Sequence, residues 1–176
     1  MLAFVTVGSL SFDPLVQAVL TPAVLSSLRL KGYTQLVIQC GNSSFEFASA
    51  VGEKGETFAL EREGVSIEIW KFRPMLQKEC EKADLVMSHA GAGSILDVLR
   101  VGRPLIVVVN TTLLDNHQQE LADALADLGH LQHCTIPDLA QTIESFQPSS
   151  IVPFPAFDGS RFSNVLDEHM GYSRNL

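Results

Sequence analysis

Basic residues are scarce in this chain: 12 lysines and arginines stand against 20 aspartates and glutamates, giving a formal net charge of −8. The few cations form no patch, so the chain repels a phosphate backbone or an anionic lipid surface, and no nucleic-acid partner is expected. Cysteine is scarcer still. Cys40, Cys80 and Cys134 are an odd number, far apart and without metal-ligand spacing, which argues against a disulfide framework or a zinc site and for packed thiols in a reducing compartment. No run approaches the roughly 20 apolar residues that cross a bilayer. The longest, Pro104-Leu-Ile-Val-Val-Val109, has the length of a buried strand. The apolar start, Met1 to Val7, lacks a basic lead and a small-residue cleavage site, so a first strand is expected there rather than a signal peptide. Also missing are the Gly-Lys-Ser/Thr of a Walker loop and the Gly-x-Gly-x-x-Gly dinucleotide fingerprint. ATP hydrolysis and hydride transfer recede accordingly.

What is present suits one domain. The 176 residues are 46% hydrophobic and 18% charged, enough for a substantial core and too few for two domains of ordinary size. Apolar runs of strand length at 2–7, 35–40, 65–70, 84–88 and 105–109, with a weaker one near 131–135, alternate with helical patterns. The helical patterns cover 13–30, 75–82, 92–101, 115–128 and 137–146. This alternation predicts an α/β fold: an open, mostly parallel Rossmann-like sheet with helices on both faces. Residues 52–61 read either as a short extra strand or as a loop. Domain organisation follows as a ligand-binding body over 1–147 and a proline-rich crossover with a final helix over 148–176, not a separate domain. In that helix Phe162, Val165, Leu166 and Met170 share one face. The face packs either on its own domain or on a partner.

Chemistry concentrates where strands give way to helices. From Ser88-His89 the chain enters a glycine turn, Ala90-Gly91-Ala92-Gly93-Ser94, and a helix begins near Ala92. A helix N-terminus carries about half a positive charge and several unpaired N–H groups, which suits a phosphate or pyrophosphate without a metal. The same glycines also suit a plain tight turn. Thr6-Val7-Gly8-Ser9 supplies a second small-residue loop on the same edge. Asp97, one helical turn on, is placed to accept from a ribose diol, or is simply a surface charge. Asp115-Asn116-His117-Gln118 opens the next helix with a cap acceptor and an unusual density of hydrogen-bonding side chains of the kind that hold sugar hydroxyls. Gly8, Ser9, His89 and His117 are weak catalytic candidates, since a lone histidine is more often a structural group.

Four ordered motifs carry a family resemblance: Phe4–Ser9, Ser88–Ser94, Gly102–Asn110 and Asp115–Ala122, followed by the Val152-Pro-Phe-Pro155 crossover. Together they resemble the catalytic subunit of the eukaryotic dolichol-pathway N-acetylglucosaminyltransferase, built on the glycosyltransferase family 28 C-terminal domain. More distantly they resemble the donor-binding half of the bacterial lipid-linked GlcNAc transferase. The resemblance implies the C-terminal half of a GT-B glycosyltransferase that binds UDP-GlcNAc and needs no metal or other cofactor. It also implies a membrane-anchored, acceptor-binding partner subunit, a GlcNAc-pyrophosphoryl-dolichol acceptor, and a cytoplasmic chain recruited to the endoplasmic reticulum. By position, Gly91, Ala92, Gly93 and Ser94 would hold the phosphates, Phe72 and the backbone of Arg73 the uracil, and Asp97 the ribose. Asp115, Asn116, His117 and Gln118 would line the sugar side, His89 and Asn110 would also contact UDP-GlcNAc, and Phe162, Val165, Leu166 and Met170 would dock on the partner. Two positions depart from the family pattern: Asp97 replaces a longer glutamate, and Thr111 stands where an acidic residue is usual. The general base is assigned to the partner. Two rivals remain, a sugar-nucleotide-binding subunit without catalysis and a different small Rossmann-like nucleotide-binding protein.

Overall fold

Apolar strands that are buried on both faces need helices above and below, and the structure, a computed structural model, has that arrangement. It describes residues 1–52, 56–110, 117–156 and 158–170, the side chains of 161 and 162 excepted. The strands are β1 (Leu2–Thr6), β2 (Gln35–Gln39), β3 (Phe58–Arg62), β4 (Val65–Trp70), β5 (Leu85–His89), β6 (Leu105–Val108) and β7 (Gln132–Cys134). They form one sheet in the order β3-β4-β2-β1-β5-β6-β7, parallel throughout except for the β3–β4 pair. The helices are α1 (Asp13–Val19), α2 (Pro22–Leu30), α3 (Leu76–Lys82), α4 (Ala92–Arg100), α5 (His117–Asp127), α6 (Leu139–Ser145) and α7 (Ser160–Met170).

Alternate residues of each strand feed two separate cores. Ala3, Val5, Ile38, Met87 and Val108 pack with Leu15 of α1, Leu25 of α2 and Ile143 of α6. Phe4, Val86 and Val107 pack with Cys80 of α3, Ile95 of α4 and Ala122 of α5. The doubly wound reading therefore holds. All three cysteines are buried thiols, and burial pushes Cys80 and Cys134 up to about 11, so they stay protonated and serve packing.

The helical pattern over 13–30 is divided between α1 and α2. Pro22 lacks the N–H that a helix interior requires and forces Thr21 into an extended conformation; Thr21 Oγ1 then caps α2 by accepting from Val24 N at 3.4 Å. Within the open stretch 52–61, residues 58–61 belong to edge strand β3. A two-residue turn, Glu63-Gly64, joins it to β4 with both φ values positive, at 53° and 72°. This is the mirror-image turn that suits strand twist.

Beyond α6 the crossover is pinned rather than loose. Val152 N donates to the Gly129 carbonyl at 2.9 Å, its own carbonyl lies 2.9 Å from His130 Nδ1, and Phe154 packs edge-on against that imidazole. In α7, Asp158 accepts from Ser160 N at 2.9 Å at the helix start. Val165, Leu166 and Met170 are 65%, 47% and 60% exposed.

Candidate functional site

The sheet order reverses direction at β1: the chain builds β2 and β4 to one side, then returns to add β5 on the other. Open α/β sheets take ligands at such a switch point, beyond the carboxyl ends of the strands. Here those ends form a row in register, Ser88 beside Thr6, Thr6 beside Gln39 and Gln39 beside Trp70, and all four are buried.

Above the row lie two glycine turns that converge on one imidazole. Gly8 has φ of +66°, and a Cβ there would sit 2.7 Å from His89 Cε1 and 3.2 Å from Ser94 Oγ. A Cβ on Gly91 would collide with His89 Nε2. Glycine at both positions therefore makes room for the His89 ring. Burial pushes the His89 pKa below its ordinary value, and the Thr6 backbone opposes this more weakly. Its Nδ1 is buried and makes no hydrogen bond of regular geometry. The ring is wedged between the two turns, and burial favours its neutral form.

Gly93 differs from its neighbours. Nothing lies within 4 Å of a Cβ built there. The N-cap of α4 is Gly91, which has no side chain to accept from the first turn, so the amides of that turn face the open space. The end of α4 is thus an uncapped, electropositive helix start beside a vacant approach.

That approach is a cleft of about 320 Å³ lined by Gly8, Ser9, Gln39, Trp70, Phe72, Arg73, Leu76, Gly93, Ser94 and Asp97. Its volume is at the lower end for ligand pockets, as expected of one wall of a larger site. The Arg73 guanidinium is already engaged: it donates to Glu68 at 2.7 Å and Thr57 at 2.8 Å, lies 3.7 Å from Glu79 and covers the Trp70 ring at 4.6 Å. Its side chain holds the loop after β4, which leaves the loop backbone and the 42% exposed Phe72 to meet a ligand. A second cavity of about 230 Å³ on the same edge brings His89, Asn110 and Gln118 together with Leu10, Ser11 and Phe12.

Most of the predicted site thus converges, with two qualifications. His117, at the first position of α5, has a side chain 82% exposed with Nδ1 3.7 Å from Glu120, and it lines neither cavity. Asp115, Asn116 and Thr111 lie outside the described residues. Sequence reading missed Gln39. The available signal was an amide closing the apolar run Leu36-Val37-Ile38 just before Cys40-Gly41. Among the described residues, no three His, Cys, Asp or Glu side chains converge as metal ligands.

Comparison with known proteins agrees with the fold. The chain is 39% identical over 168 residues to human UDP-N-acetylglucosamine transferase subunit ALG13, covering 90% of this chain and 14% of that protein. The chain therefore spans only a small part of that relative. An NMR solution structure of ALG13 superposes with a TM-score of 0.67 at 29% identity, covering 98% of this chain and 96% of that one. The crystal structure of Acinetobacter baumannii MurG shares the fold, with a TM-score of 0.56 and 20% identity, and this chain covers 42% of it. Residues 2–165 match the glycosyltransferase family 28 C-terminal domain, and the chain belongs to that family.

Proposed function

We propose that this chain is the donor-binding, catalytic half of a two-chain transferase that moves GlcNAc from UDP-GlcNAc to GlcNAc-pyrophosphoryl-dolichol. The observation that carries the reading is the uncapped start of α4 beside the open face of Gly93, at the switch point of the sheet. The acceptor 4-hydroxyl attacks C1 of the donor sugar from the face opposite UDP. The bond from C1 to the β-phosphate oxygen breaks with inversion, and UDP departs carrying the negative charge. The first turn of α4 meets that charge as it develops, with donors already oriented. Ser94 and Gly8 lie beside it, Asp97 faces the ribose, the loop after β4 takes the uracil, and the second cavity with Asn110 and Gln118 receives the sugar. The proton of the attacking hydroxyl goes to a base on the partner.

A partner is supported by the word subunit in the name of the human relative and by the exposed apolar face of α7. No described helix is long and apolar enough to cross a membrane; the reading assigns recruitment to the endoplasmic reticulum to the partner. The test is transfer from labelled UDP-GlcNAc to a GlcNAc-pyrophosphoryl lipid, with and without a candidate membrane subunit. Product is expected only with both chains, and excess EDTA is expected to leave it unchanged. Transfer by this chain alone overturns the two-chain reading. Activity lost on chelation and restored by Mg²⁺ or Mn²⁺ overturns the metal-free one. Donor binding without transfer in the complex leaves the non-catalytic subunit as the better account.

A further inference from the structure

Gln39 closes β2 at the floor of the cleft and is 2% exposed. Its Oε1 accepts from Thr6 Oγ1 at 2.6 Å and from Val7 N at 3.2 Å. Its Nε2 donates to the carbonyls of Gly8 and Lys71, each at 2.9 Å. A primary amide offers two donors and two acceptor sites, so this one is fully used. The partners come from two segments far apart in sequence, residues 6–8 and Lys71. Val7 and Gly8 belong to the left-handed turn after β1, and Lys71 begins the loop after β4 that carries Phe72 and Arg73. Thr6 Oγ1 also accepts from Gly8 N at 3.1 Å, which closes the network around the turn.

We infer that Gln39 is a positioning residue for the donor site. It fixes the turn after β1 against the loop after β4, and so sets the spacing between the phosphate end and the base end of a nucleoside diphosphate sugar. Hydrophobic packing does not require an amide here, and a buried amide is stable only with all its partners in place. The network is therefore rigid as a unit. Glutamate has the right shape but the wrong hydrogens: ionised, it places an acceptor against two carbonyl oxygens that need donors.

This inference rests on the proposed function, and the experiment separates the two. Binding of UDP and UDP-GlcNAc to the full chain is followed by the fluorescence of its single tryptophan, Trp70, which lines the same cleft. Steady-state transfer is measured with the partner present. Gln39→Met and Gln39→Glu are expected to weaken both nucleotides by about tenfold or more, raising KM for the donor while KM for the lipid acceptor stays fixed. Protonation gives the Glu variant back one donor, so its affinity is expected to recover as pH falls from about 8 to about 6 while that of the Met variant does not. Thr6→Val, which removes one strut, is expected to give a smaller loss. Wild-type binding with both Gln39 variants within about twofold of it overturns the inference, as does unfolding of both variants while Thr6→Val binds normally. A wild-type chain that binds neither nucleotide overturns the proposed function, and this inference with it.

Discussion

Helices α4 and α7 carry the same kind of pattern, an apolar stripe at helical spacing, and come to opposite ends. In α4 the stripe of Ile95, Val98 and Leu99 is buried against the sheet and fixes the helix whose start faces the cleft. In α7 the residues Val165, Leu166 and Met170 stand in solvent. Periodicity therefore states that a face needs covering and says nothing about what covers it. The position of each helix decides. Helix α4 lies between two strands that bond to one another, β5 and β6. Helix α7 follows a crossover already pinned to Gly129 and His130. One stripe serves folding, and the other is the one we propose for assembly.

The largest expected effects test that contrast directly. Ile95→Ala should cost about 2–5 kcal/mol, a large share of the ~5–15 kcal/mol that holds a domain. Alanine at Val165, Leu166 or Met170 should change the stability of the isolated chain by no more than about 0.5 kcal/mol each. Denaturant unfolding checks both, and a loss at Leu166 comparable to that at Ile95 would mean that α7 belongs to this domain's own core. The triple alanine variant, or truncation after Pro155, should leave a folded, UDP-binding domain that no longer recruits to the partner or supports transfer. A truncated chain that still transfers in the presence of the partner removes α7 from the interface.

The framework was legible in the sequence because its parallel strands are near-continuous apolar runs, buried on both faces, that need no partner knowledge to recognise. The break at Thr21-Pro22 and the Glu63-Gly64 hairpin were legible too, in proline and glycine chemistry, but a continuous apolar rhythm across 13–30 and a polar 52–61 masked them. At the site, glycines mark where a side chain must be absent, so Gly8, Gly91 and Gly93 stood out together. Only the structure separates them, since two make room for His89 and one faces open space. Gln39 left only a faint signal, the amide that closes an apolar run. Its importance lies in four bonds to two segments distant in sequence, and the local pattern does not record such pairing.

That separation of the glycines gives the next effect in size. Gly93→Val should leave the fold intact and weaken UDP-GlcNAc by about a hundredfold or more, because the added branch enters space meant for phosphate. Gly8→Ala and Gly91→Ala should instead destabilise the domain, by about 1–3 kcal/mol, through a left-handed backbone at the first and crowding of His89 at both. Thermal unfolding and nucleotide titration on all three variants check the split. A Gly93→Val chain that binds normally would reduce the loop to a turn.

A smaller change is expected at Asp97, exposed at the far rim of the cleft. If its carboxylate meets the ribose, Asp97→Asn should weaken UDP-GlcNAc severalfold and a 2′,3′-dideoxyribose analogue hardly at all, with stability unchanged. Equal losses for both ligands would take the diol away from Asp97.

The smallest effect expected is a pH dependence written by His89. Burial lowers its pKa in the folded chain, so between that lowered value and the ordinary histidine value of about 6.5 the unfolded chain binds the proton and the folded chain does not. Stability is then fully present above about 6.5 and is lost as pH falls through the folded value, since folding must keep a neutral imidazole wedged between Gly8 and Gly91. His89→Asn removes the titrating group while keeping a small planar side chain there. The difference in Tm between wild type and variant should therefore shrink on going from about pH 7.5 to about pH 5.5. A constant difference across that range would mean that His89 is protonated equally in both states, and that the fit between the two glycine turns is not what keeps it neutral.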